Sequence, residues 1–213
     1  MAEMPKPQPD DVLILVDMQN DFCPGGALGV PEGDAIVPLV NRLAEQFDHI
    51  ILTQDWHPAG HHSFASSHPG RQPFETITVA YGQQVLWPDH CIQGSEGAAF
   101  HPALDVPRAE LVLRKGFRRE IDSYSIFREN DRQTRTGLDA YLRERGLRRL
   151  FLAGLALDFC VAWSALDGRA AGYEVVVLED ACRAIDLDGS LERARGDMIA
   201  AGVLLTVSDK VAA

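Results

Sequence analysis

The chain reads as short apolar runs that stop abruptly at polar residues, separated by stretches of helical periodicity. The first run covers residues 12–16 and ends at Asp17; further runs cover 49–53, 111–113, 149–153, 174–178 and 203–206. A continuous apolar run without in–out alternation predicts a strand covered on both faces. Helices are predicted over 34–46, 137–145, 158–171 and 188–201, with Asp34 as the first N-cap and Pro38 tolerated in its first turn. Gly146, Gly172 and Gly202 follow the other three as C-terminal stops. Strands alternating with helices require crossovers, so the expected fold is an α/β three-layer sandwich around a mostly parallel six-stranded sheet. Residues 56–110 break this rhythm. They are rich in His, Pro, Gly and Gln but carry Phe64, Phe74 and Trp87, and a long irregular segment with such aromatics predicts a functional loop.

Composition narrows the picture. At 213 residues, 46% of them apolar, the chain suits a single domain with a full core. Residues 11–213 are read as that domain. Residues 1–10, with Pro5, Pro7 and Pro9, are read as a flexible tail without the pattern of a signal peptide. The net charge of −11 argues against a nucleic-acid partner. The densest basic cluster, Arg143, Arg145, Arg148 and Arg149, is read as a solvated helix end. No apolar stretch is long enough to span a bilayer, so no membrane partner is expected. Cys23, Cys91, Cys160 and Cys182 lie far apart with no CxxC pair, which points to free thiols in a reducing cytoplasm.

Candidate chemistry gathers at the strand ends. In open parallel sheets ligands bind beyond the carboxyl ends of the strands. Asp17, Asp55, Lys115 and Cys160 all follow predicted strands. Cys160 falls at a strand-to-helix turn, where a helix N-terminus favours thiolate and offers N–H groups to an oxyanion; the alternative is a buried structural cysteine, the reading preferred for the other three. Asp17 closes an apolar strand, and a partly dry carboxylate suits a general base; the alternative is a plain ion pair with Lys115. Asp55-Trp56-His57 places a carboxylate and an imidazole two residues apart, with His61, His62, His68, His90 and His101 as further donors. Such a set suits zinc, iron or manganese, or else is only a polar loop.

Four segments, Asp17 to Phe22, Asp55 to Phe64, Trp87 to Cys91 and Gly154 to Val161, occur here in an order and spacing that no single motif would specify, with Lys115-Gly116 and Asp122 to Ser125 between them. Through them, from Val12 to Ser208, the chain resembles the nicotinamidases (pyrazinamidases) of the isochorismatase-like cysteine hydrolase family. The resemblance implies the isochorismatase-like hydrolase fold, a catalytic triad of Asp17, Lys115 and Cys160, and an oxyanion site from the backbone of Ala156 and Cys160. It implies one divalent metal ion per chain (Zn, Fe or Mn) on Asp55, His57 and His90, with His61 and Ser63 just outside or, for His61, as an alternative ligand. Phe22, Trp87 and Tyr124 would flank a pyridine ring, and the Leu155–Ala156 peptide bond would be cis. The implied reaction is hydrolysis of nicotinamide to nicotinate and ammonia through a cysteine thioester, in NAD salvage, with pyrazinamide as a further substrate. A homo-oligomer is left open. The nearest rival is a same-fold amidase or ureidohydrolase lacking the metal loop; isochorismatase itself lacks the cysteine. A zinc hydrolase with a structural Cys160 and a ligand-binding module are the more distant rivals. Leu157 departs from the Thr of many relatives, and Trp163 stands where a polar or basic residue is usual.

Overall fold

A computed structural model of the chain describes residues 6–211. Of the tail expected over 1–10, residues 1–5 lie outside the described residues. Residues 9–10 form a turn into the first strand, in which the Gln8 N–H donates to Asp11 Oδ2 (2.6 Å).

The sheet has six strands: β1 (Asp11–Val16), β2 (His49–Asp55), β5 (Leu111–Lys115), β6 (Arg149–Leu155), β7 (Glu174–Arg183) and β8 (Leu204–Thr206). Their spatial order is β5-β2-β1-β6-β7-β8, and every pairing is parallel. β1 is buried along its whole length, which explains its unbroken apolar character: both of its faces meet helices. Four helices, α1 (Val37–Ala44), α2 (Leu138–Glu144), α3 (Ala162–Ala170) and α4 (Ser190–Ala200), supply the crossovers other than that from β2 to β5, which runs through the irregular segment. From β1 the chain progresses towards β5, and from β6 towards β8. With right-handed connections this reversal puts α1 on one face and the other three helices on the opposite one. The reversal falls between β1 and β6, and a crevice opens there at the carboxyl ends of the strands.

Several boundaries differ from expectation. Asp34 does not cap α1: it lies inside a 3₁₀ turn, Gly33–Ile36, with no side-chain cap, and the α-helix begins only at Val37. Pro38 sits in the first turn of α1, where its missing N–H costs nothing. β2 and β5 run to Asp55 and Lys115 themselves, so these residues end strands rather than follow them. β7 continues to Arg183, through the polar residues Glu179 and Asp180. The irregular segment contains an antiparallel hairpin, β3 (Thr76–Val79) and β4 (Gly82–Val85). Its strands are short and largely exposed, so they carry little hydrophobic signal. The basic cluster also resolves differently. Arg149 opens β6, and its guanidinium donates two bonds to Asp11, while Arg143 and Arg145 pair with Asp139 and Glu110. Among the described residues no helix is long and apolar enough to cross a membrane.

Candidate active site

The residues at the strand ends meet across the crevice. Asp17, the first residue past β1, adopts a left-handed backbone (φ 50°) that turns its fully buried carboxylate inward. Thr53 of β2 holds it: the hydroxyl donates to Asp17 Oδ1 (2.7 Å) and accepts from the Asp17 N–H (3.2 Å). Lys115 starts two strands away on β5, and its long side chain reaches under β2. Its Nζ lies 2.8 Å from Asp17 Oδ2, 2.5 Å from Asp55 Oδ1 and 3.4 Å from Cys160 Sγ, and it donates to Ser123 O at 2.9 Å. The contact with Asp17 Oδ2 is ionic rather than a well-angled hydrogen bond, and that oxygen has no hydrogen-bond partner among the described residues. It is free to accept a proton.

Cys160 sits in a single π-helical turn, Leu157–Val161, joining β6 to α3. The turn follows the cis Leu155–Ala156 bond, and the buried Asp158 carboxylate anchors it by accepting from the N–H groups of Ile185 and Asp186. Ala156 and Cys160 line the same cavity.

Charge in the cluster is set by burial and mutual attraction. Burial opposes the Lys115 ammonium, but Asp17 and Asp55 outweigh it and hold its pKa well above the ordinary lysine value. Burial likewise opposes the Asp55 carboxylate, yet Lys115 and His57 hold it well below the usual range. Asp17 is raised by burial, which Lys115 only partly offsets, in the direction a general base needs. Cys160 corrects the expectation of a lowered thiol. Complete burial pushes it well above the usual value, and the carboxylates of Asp17 and Asp55 add to this against Lys115. The resting sulfur is a thiol, and a nearby base must take its proton during attack. Alkylation of Cys160 in metal-free protein will therefore keep accelerating as pH rises through 9, because the thiolate fraction is still growing there. A rate already flat below pH 7 would mean a preformed ion pair and would overturn this picture.

Beside Lys115 three donors converge. Asp55 Oδ2 is 3.6 Å from His57 Nε2 and 3.8 Å from His90 Nε2, and the three residues offer ligand atoms within 4.8 Å of one another. His57 Nδ1 faces Gly116 O at 2.8 Å and His90 Nδ1 faces Pro88 O at 2.8 Å. A carbonyl can only accept, so both Nδ1 atoms carry hydrogen and both Nε2 lone pairs are left for a cation. Gln19 clamps the site from below, accepting from the Asp55 N–H (2.8 Å) and donating to Asp55 O (2.9 Å). His61 packs on His57, with ring centroids 4.3 Å apart, but both of its nitrogens are engaged. Nε2 donates to Arg118 O (2.9 Å) and Nδ1 meets Ser63 Oγ (2.7 Å). Burial brings its pKa down to about 4, with His57 adding to the effect, so His61 is neutral at ordinary pH. His62 and His68 pair with each other, and His101 Nδ1 accepts the Ala103 N–H; the fold does not bring these three into the donor group.

Phe22, Trp87 and Tyr124 wall a cavity that also exposes Asp55, His90 and Cys160. Trp87 Nε1 and Gln84 Nε2 both donate to the Tyr124 hydroxyl (3.1 Å each), which fixes the two rings edge to face. Sequence reasoning gave no role to Thr53, Gln19, Gln84, Phe159 or Ile185. Their partners lie far along the chain, at separations of 36 residues for Thr53 and Gln19 and 40 for Gln84, so no local pattern marks them. Asp122, noted only as part of a motif, also lines the cavity, beside His57 and His61.

Comparison with known proteins finds relatives of the whole chain. The isochorismatase-domain signature matches residues 11–209. A curated nicotinamidase of Acinetobacter baylyi is 56% identical over 191 residues, 90% of this chain and 89% of that one. The solved Acinetobacter baumanii nicotinamidase/pyrazinamidase superposes with a TM-score of 0.95 at 53% identity, covering 96% of this chain and 99% of that chain. The pyrazinamidase of Pyrococcus horikoshii, solved in complex with zinc, does so at 0.76 and 35% identity, covering 93% and 99%.

Proposed function

The chain belongs to the isochorismatase-domain family, and from that premise we propose that it hydrolyses nicotinamide to nicotinate and ammonia with Cys160 as nucleophile. It is an amide hydrolase of the nicotinamidase kind. The observation that carries the residue roles is the position of Lys115 Nζ, within 3.4 Å of both buried Asp17 Oδ2 and Cys160 Sγ.

The donor set fits a divalent cation, because two imidazole lone pairs and a carboxylate oxygen converge with their other polar atoms already bonded. A cation on Asp55, His57 and His90 supplies an electron-pair acceptor for a pyridine nitrogen, which orients the ring. Phe22, Trp87 and Tyr124 confine the ring plane and leave the carboxamide carbon over Cys160. Asp17 Oδ2 accepts the thiol proton as sulfur attacks. The ammonium of Lys115 balances the charge passing between sulfur and carboxylate. Backbone N–H groups of Ala156 and Cys160 stabilise the oxyanion, at about 3 kcal/mol per donor. Asp17 returns the proton to departing ammonia and then activates the water that cleaves the thioester. Pyrazinamide, which keeps a ring nitrogen meta to the carboxamide, meets the same requirements. A reducing cytosol belongs to the same reading, since all four cysteines are free.

The test is ammonia release from nicotinamide before and after chelation. Activity should fall by about tenfold or more on chelation and return on adding zinc, manganese or iron, since lost orientation raises the barrier by ~1.4 kcal/mol or more. Untreated, metal-replete protein that releases no ammonia from nicotinamide would end the proposal. A same-fold amidase acting without the donor set would be indifferent to chelation.

A further inference from the structure

The wall residues of the catalytic cavity tell where it opens. Its wall residues are buried, Phe22, Trp87, Tyr124 and Cys160 among them, except Phe159 and Ile185, which are partly exposed. On the far side of Phe159 lies a more open groove, lined by Phe74, Val85 and Trp163 on the one hand and by Asp188, Arg193 and Asp197 on the other, with Phe159 itself in its wall. Phe159 is the one residue that faces both spaces. Its ring stands edge-on against Trp87 (centroids 4.9 Å apart) and Tyr124 (5.6 Å). It projects from the π-turn, and such turns gather at functional sites.

Within this largely polar groove, the aromatic residues beside Phe159 offer a landing surface for a flat ring. Phe74 is 44% exposed and adopts a left-handed backbone (φ 73°) that is unfavourable for a bulky residue. In that conformation its ring packs edge-on against the outer side of Trp87 (6.1 Å). Trp163, unusual at its position, packs edge-on against Tyr124 (5.3 Å), and the Arg132 guanidinium stands 5.3 Å from its ring centre. These side chains form a continuous aromatic path from the surface through Phe159 to the pyridine box.

We infer that the groove is the antechamber of the active site and that Phe159 is its movable door: an aromatic amide rests on Phe74 and Trp163, passes as the Phe159 ring swings aside, and is then closed in. The door excludes water and limits substrates to small primary amides. The inference rests on the proposed function for its substrate but not for its test, which reads access to the Cys160 sulfur directly.

The experiment compares alkylation of Cys160 by small iodoacetamide and by bulky N-phenylmaleimide, located by mass spectrometry of the Cys160 peptide, in the parent, Phe159→Ala and Thr76→Trp proteins. Phe159→Ala should raise the maleimide-to-iodoacetamide rate ratio by about tenfold, a barrier lowered by ~1.4 kcal/mol. Thr76→Trp, an exposed substitution that narrows the groove, should lower that ratio. For hydrolysis, Phe159→Ala should gain activity on ring-extended nicotinamides relative to nicotinamide itself. An unchanged alkylation ratio in both variants overturns the door, whatever the hydrolysis result. If the parent fails to hydrolyse nicotinamide while the alkylation ratio shifts as expected, the door stands and the substrate assignment falls. Should Phe159→Ala fold poorly, seen as faster iodoacetamide labelling of buried Cys182, Thr76→Trp decides alone.

Discussion

Cys160→Ala protein will release ammonia from nicotinamide at least about 10⁴-fold more slowly than the parent, as expected when a unit of cooperating catalytic groups loses its nucleophile. It will still bind nicotinate and retain its metal. The separation follows from the layout. Asp55, His57 and His90 form a group that does not include the sulfur, and the aromatic walls Phe22, Trp87 and Tyr124 are held by bonds that bypass it. The variant loses one buried sulfur atom in a cluster whose charges remain, so its stability should change by only ~1 kcal/mol. Calorimetric titration with nicotinate, metal content and ammonia release are the three measurements. Residual turnover within tenfold of the parent would assign Cys160 a structural role and favour hydrolysis by a metal-bound nucleophile.

Lys115→Met should be the most damaging single change to both activity and stability. Lys115 is the cation between two buried carboxylates. Removing one partner of a buried ion pair costs roughly 3–5 kcal/mol, because the remaining charge is left uncompensated. The pH dependence carries the signature. Lys115, raised when folded, stabilises the parent fully below its unfolded value of 10.5 and loses that contribution as pH rises through the folded value. Asp55, lowered when folded, stabilises it above its unfolded value of 3.8 and loses that contribution as pH falls through the folded value. The cluster thus supports the parent across the whole neutral range. In the variant Asp17 is left buried without a cation, so its folded pKa, already raised by burial, climbs further, while Asp55 loses the larger of the attractions that lower it and keeps only His57 and His90. The folded variant then binds more protons than its unfolded chain, and its deficit must shrink on acidification. Urea unfolding of metal-free parent and variant at pH 8 and pH 5.5 tests this. A deficit that is small, or equal at the two pH values, would mean that Lys115 does not hold the two carboxylates together.

Much of this molecule was legible in one dimension. All six sheet strands are anticipated by apolar runs; the inner ones because a strand buried on both faces tolerates little else, while the edge strands β5 and β8 stay apolar although Val112 and Leu204 are exposed. Asp17 was readable because it stops such a run, and Asp55, Lys115 and Cys160 because each follows a run within a few residues, at the carboxyl end of the sheet. The hairpin Thr76–Val85 was not legible, since its strands are too short and too exposed to be patterned by burial. The first turn of the helix after β6 was misread for a different reason. Residues 157–161 have ordinary helical composition, and only the anchoring of Asp158 by Ile185 and Asp186, across the crevice, accompanies the π geometry there.

The amino-acid order alone determined the layered parallel sheet and which chemical groups stand at its carboxyl edge, because burial periodicity and strand termination are properties of neighbouring residues. It could not determine the protonation of those groups. The helix-start position of Cys160 argued for a lowered thiol; complete burial beside two carboxylates raises it instead. Desolvation depends on how many atoms from distant segments surround a group, and so does the freeing of the His57 and His90 Nε2 lone pairs by carbonyls of Gly116 and Pro88. Those quantities exist only once the chain has closed on itself.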